Sequence, residues 1–127
     1  IAVRPAFFNE DSKMLHSVSL KGNASFRRLY HRGTSMANRL LVVYCCRNRT
    51  QKNRVGLTVS AKLGHAVVRN RLRRRLREIY RLHESRFRTG WDIVVVARSR
   101  AVTAEYAELE KAYLSLAGKL GLLEAEQ

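Results

Sequence analysis

The chain has 127 residues, 46% of them hydrophobic, enough to bury one core of ordinary domain size and too many for a disordered tail. Its formal net charge of +15 is unevenly placed: residues 1–100 carry 23 Lys and Arg against 5 Asp and Glu, while residues 101–127 carry 2 against 5. A field of that sign draws polyanions rapidly and makes their binding salt-dependent, and the longest apolar run, Leu40–Cys46, is far too short to span a membrane.

Residues 1–19 contain the only proline, Pro5, and show no periodicity, which predicts an irregular N-terminal arm. Within it Ala6–Phe8 is too short for the core of a secretory signal, and a first residue of isoleucine reads as an incomplete N-terminus. Asn23 or Ser25 is placed to cap a short helix that carries Phe26, Leu29 and Tyr30 on one side and Arg27, Arg28 and Arg32 outward, with Gly33 as its stop. Leu40–Cys46 reads as a strand covered on both faces. Its Cys45 and Cys46 are the only cysteines; neighbouring side chains of a strand point to opposite faces, so they read as two reduced, packed thiols of a cytosolic protein.

The connection Arg47–Arg54 holds Arg47, Arg49, Lys52 and Arg54, a second basic patch. From Val55 to Ser60, Val55, Leu57 and Val59 alternate with Gly56, Thr58 and Ser60, which predicts a strand hairpinned to its predecessor. Lys62, Gly64 and His65 then turn the chain into a helix over residues 67–84. Val68, Leu72, Leu76, Ile79 and His83 recur at steps of 4, 4, 3 and 4, a docking stripe, while seven of the thirteen residues from Arg69 to Arg81 are arginine. Arg74, Arg77 and Arg81 fall opposite the stripe with Asn70 beside them, and Arg71 and Arg73 flank that face.

Like charges at i,i+4 cost a helix roughly a few tenths of a kcal/mol per pair, and an external polyanion is the natural compensation. A merely solvated face would mix lysine with glutamate, whereas arginine's planar fork suits bidentate phosphate contact and stacking on bases. Nucleic-acid binding follows from that clustering.

Asp92–Ala97 reads as an interior strand, and Thr103 as the cap of a last helix in which Tyr106, Leu109, Tyr113, Leu116 and Leu120 form an apolar stripe ended by Gly121. Both tyrosines are assigned to the core. The order α-β-β-α-β-α gives an α/β two-layer sandwich of a small mixed sheet and helices, with one domain over residues 20–121 and a tail over 122–127. General topology favours a right-handed crossover.

No catalytic or metal-binding residues are assigned. Glu10, Asp11, Glu78, Glu84 and Asp92 are scattered over different elements, which disfavours a protein-borne metal centre. His16 and His31 lie in the arm and first helix; His65 reads as a turn residue and His83 as a packed one. No Gly-rich phosphate loop, nucleophile triad or Cys/His cluster is present. The contribution of such a chain to catalysis is charge, aromatic surface and shape.

The run from Val67 to Glu78, with Arg69-Asn70-Arg71 at its centre, closely resembles the signature of the bacterial ribonuclease P protein subunit. Phe26 to Tyr30, His31 to Ser35, Asn38-Arg39, Arg54 to Leu57, Val59 to Gly64 and Asp92 to Arg98 agree with the same family in order and spacing, so the likeness covers Leu20 to Leu120. Ser19, Ser25 and Ala61 depart from its usual residues. The resemblance implies a left-handed βαβ crossover, against the general preference. It also implies a cytoplasmic ribonucleoprotein that removes the 5′ leader of precursor tRNA, with catalytic Mg²⁺ held mainly by the partner RNA and no obligate protein partner.

By position, Arg69, Asn70, Arg71, Arg73, Arg74 and Arg77 would contact the catalytic RNA. Phe26, Tyr30 and Tyr44, with Lys62 nearby, would receive the single-stranded leader; composition alone would place Phe26 and Tyr44 in the core. The alternatives are a structural RNA-binding protein of the ribosome and a helix-in-groove DNA reader, the latter disfavoured by arginines too uniform for base readout.

Overall fold

In the computed structural model, which describes residues 17–124, two strands absent from the sequence expectation frame the sheet. The elements in chain order are β1 (Ser17–Ser19), α1 (Asn23–Arg32), β2 (Thr34–Ala37), β3 (Leu41–Arg47), β4 (Asn53–Thr58), α2 (Ala66–His83), β5 (Trp91–Ala97) and α3 (Tyr106–Lys119). Short 3-10 turns at Ala61–Leu63, Glu84–Arg86 and Ser99–Val102 join them. The predicted arm falls outside the described residues over 1–16, as do Glu10, Asp11, His16 and tail residues 125–127.

The sheet order is β1-β4-β5-β3-β2, with β1, β4 and β5 parallel and β2 and β3 running antiparallel to their neighbours. The predicted hairpin is therefore corrected. β5 lies between β3 and β4, because its unbroken Ile93–Val96 run can be buried on both faces and a central position satisfies it. β4, α2 and β5 form a parallel crossover unit. β2 escaped prediction because Thr34–Ala37 is an exposed edge strand whose only instruction is backbone pairing with β3. β1 is likewise held by its neighbours. Ser17 is buried, its hydroxyl 2.6 Å from that of Tyr80 on α2, and Asn53 Nδ2 donates to the same phenol at 3.0 Å.

On one face Val43, Cys45, Ile93 and Val95 meet Leu72, Leu76, Ile79 and Tyr80 of α2 and Leu109, Tyr113, Leu116 and Ala117 of α3, forming the two-layer core. On the other, Leu20, Leu29 of α1 and Val94 make a smaller cluster with Phe26, Tyr44, Cys46 and Val96. Tyr80 takes the core place expected of His83, whose Nε2 lies 2.7 Å from Glu110 on α3. Thr103 is not the cap of α3. Glu105 is, in a reciprocal capping box with Glu108, which satisfies two amides where a lone threonine would satisfy one. Leu122, placed in the tail, is fully buried. No helix among the described residues is long and apolar enough to cross a membrane.

Candidate nucleic-acid interface

Burial of Leu72, Leu76, Ile79 and Tyr80 fixes the rotation of α2 and leaves Val67, Asn70, Arg71, Arg74 and Arg77 along its exposed face. Several arginines of the helix are partly committed. Arg69 Nε donates to Gly64 O at 3.1 Å, Arg73 Nη1 to Asn70 Oδ1 at 2.9 Å and Arg75 Nη1 to Ala104 O at 3.3 Å. Arg81 is drawn to Glu78 at 2.8 Å, so it stands less free than helical spacing alone suggests. Of the six predicted positions Asn70, Arg71, Arg74 and Arg77 thus share the exposed face of α2, while Arg69 and Arg73 are half-buried towards its packed side.

The ring group forms on the opposite side of the sheet. α1 packs with β3 and β5, and its Tyr30 ring lies 4.9 Å from Tyr44 and 6.5 Å from Phe26, both contacts edgewise. Tyr30 is 39% exposed; Phe26 and Tyr44 are half-buried. The Tyr30 hydroxyl lies 2.7 Å from that of Thr58, which pins the ring over β4. Gly56 is required here by space, since a Cβ at that position would come within 2.6 Å of Phe26 Cζ. Register sets Val42, Val96 and Thr58 side by side on this face, with Tyr44, Val94 and Gly56 in the next row. These floor residues were not singled out from sequence, although the alternation of β4 had placed Gly56 and Thr58 on one face. Lys62 is exposed in the turn beyond β4, four residues from Thr58.

Arg54, expected in a basic loop, belongs to β4 and is spent internally. Its Nε and Nη2 donate to the two carboxylate oxygens of Asp92 at 2.7 and 2.8 Å, Asn48 Nδ2 donates at 3.0 Å, and Arg28 lies at 3.7 Å. Asp92, 1% exposed, is thereby consumed in tying α1, β4, β5 and the β3–β4 loop together. Among the described residues no three His, Cys, Asp or Glu side chains converge as metal ligands. Burial pushes the Cys45 thiol up to about 11 and also raises Cys46, which Asp92 raises further against Arg28 and Arg54; both are free thiols held protonated.

The family model described as Ribonuclease P matches residues 14–121. A ribonuclease P protein component of Alkaliphilus metalliredigens is 45% identical over 104 residues, covering 82% of this chain and 94% of the relative. A solved RNase P protein of Staphylococcus aureus shares 34% identity at a TM-score of 0.78, covering 87% of this chain and 99% of that one. That of Thermotoga maritima shares 28% at 0.75, covering 84% and 98%.

Proposed function

The chain belongs to the ribonuclease P protein family, the protein part of that endoribonuclease, and from this premise we propose how its surfaces divide the work. The exposed face of α2, with Arg69, Asn70, Arg71, Arg73, Arg74 and Arg77, binds the catalytic RNA. The groove bounded by Phe26, Tyr30 and Tyr44, with Lys62 at its side, holds the single-stranded 5′ leader of precursor tRNA. The observation that carries this reading is the segregation of exposed arginine on one helix and clustered rings across the sheet, two chemistries suited to two partners.

Exposed rings stack on bases at about 1–3 kcal/mol each without strong sequence preference, which suits a leader of variable sequence. Arginine neutralises phosphates that would otherwise repel one another as catalytic and substrate RNA approach. Mg²⁺ is assigned to the RNA, because the one buried carboxylate of the sheet, Asp92, already accepts from Arg54 and Asn48. The chain's own part is to bind, orient and screen. Precursor cleavage by the partner RNA should therefore proceed at much lower Mg²⁺ with the protein than without it; unchanged dependence on Mg²⁺ would refute the screening role.

A further inference from the structure

The two ends of α2 meet different surroundings. About 15 Å along the helix from Asn70, the Tyr80 hydroxyl accepts from Asn53 Nδ2 at the start of β4. Asn53 Nδ2 also donates to Arg88 O at 2.9 Å and Asn53 Oδ1 accepts from Trp91 N at 2.9 Å, so the β3–β4 loop and the start of β5 are gathered at this end.

For an exposed segment that loop is firmly held. Asn48 N donates to Gly90 O at 2.9 Å, Asn48 Oδ1 accepts from Thr50 N at 2.9 Å, Asn48 Nδ2 donates to Lys52 O at 2.9 Å, and Lys52 N donates to Thr50 Oγ1 at 3.2 Å. Between these bonds stands Arg49 at φ 61°, the only non-glycine residue at positive φ among the described residues. A left-handed conformation is unfavourable for a residue with a Cβ and persists where its surroundings impose it. Arg47, Arg49, Lys52 and Arg88 are all exposed. Among the described residues the first three pair with no carboxylate, and Asp92, next to Trp91 in β5, is already taken by Arg54.

Arg47 and Trp91 are cross-strand partners, and the guanidinium lies 5.4 Å from the centroid of the indole ring. One face of the chain's single tryptophan is therefore covered and offers no platform to a base. What remains is a set of cations at fixed places, a chemistry suited to the phosphates of folded RNA rather than to unstacked bases. We infer that the β3–β4 loop is a second docking point for the catalytic RNA: Arg47, Arg49 and Lys52 take backbone phosphates of a duplex segment, at the far end of α2 from the start of its arginine face. Two contacts on one rigid body fix the angle of the protein on the RNA, where a single helix face would leave it free to pivot. The inference rests on the reading that this RNA is the partner, and not on which residues of α2 meet it.

Arg49→Asn, a residue that tolerates the left-handed region, together with Lys52→Gln removes two charges and leaves the hydrogen bonds of the loop in place. The double variant should bind catalytic RNA roughly tenfold more weakly, with the slope of log affinity against log salt flatter by about 1.8; Arg49→Lys with Lys52→Arg should retain both. Binding of that RNA should change the emission of Trp91 in the parent protein and do so less in the double variant. An iron chelate carried by Gln51→Cys, selective because Cys45 and Cys46 are held protonated, should cleave the catalytic RNA at positions apart from those cut from Ala66→Cys at the start of α2. Unchanged affinity and slope in the double variant beside a loss in an Arg73, Arg74 and Arg77 triple variant, cleavage from position 51 confined to precursor tRNA, or coincident cuts from the two positions overturns the second docking point. A loss in the loop variant beside none in the triple variant supports the loop and removes α2 from the interface, whereas a loss in neither overturns both.

Discussion

Single side chains decide how the ring cluster sits on the sheet. Gly56 has no positive φ, so its role is spatial: alanine there forces Phe26 off the strand, because the obstructing atom belongs to a ring packed on Leu20 and Val94. Gly56→Ala should cost about 1–3 kcal/mol of stability by overpacking and lower affinity for leader-bearing RNA more than for mature tRNA, which denaturant melts and binding assays would separate. Asp92 is the second such residue. Asp92→Asn keeps the shape but removes the charge that holds Arg54 and Arg28; since Arg54 is 37% exposed at its side chain, water recovers part of the loss. A destabilisation of about 1–3 kcal/mol is expected, read as a lower urea midpoint with unchanged slope.

At the scale of elements, α2 joins two jobs whose separation can be tested. Replacing Arg73, Arg74 and Arg77 together by alanine removes cations from the surface opposite Leu72, Leu76 and Ile79, and alanine favours helix. The fold should survive, RNA affinity should fall, and the slope of log affinity against log salt should flatten by about 0.9 for each duplex-type phosphate no longer neutralised; an unchanged slope would remove this face from the interface. The same helix shows what could be read beforehand. Its period and the exposure of Asn70, Arg71, Arg74 and Arg77 were legible because a 3.6-residue pattern records burial directly. β2 was not, since Thr34–Ala37 buries nothing and its instruction lies in β3. Nor was the neighbour of β4: alternation reports which face is covered and is silent on which strand lies alongside. The ring contact of Tyr30 with Tyr44 depends on that neighbourhood, and only resemblance to a family pointed to it from sequence. Arg54 appeared basic and available until β5 brought Asp92 against it.

For the whole molecule the deciding quantity is charge. The net +15 is distributed so that the exposed arginines of α2 and those of α1 meet solvent on different sides of one sheet, whereas the chain from residue 101 onward carries only 2 Lys and Arg against 5 Asp and Glu. Few carboxylates are available to neutralise that field internally, and Asp92, Glu78 and Glu110 are already engaged with Arg54, Arg81 and His83. Its screening must come from RNA or salt, and the two compete. Raising monovalent salt from about 50 to about 200 mM should lower RNA affinity by about 10³–10⁵ if six to ten phosphates are contacted. Thermal stability should change little over the same range, because Leu76, Ile79, Ile93, Tyr113 and their neighbours hold the fold by burial. Filter binding and calorimetry on one salt series measure both quantities. Affinity insensitive to salt would mean that recognition rests on apolar or base-specific contact, and the arginine helix would then need another explanation.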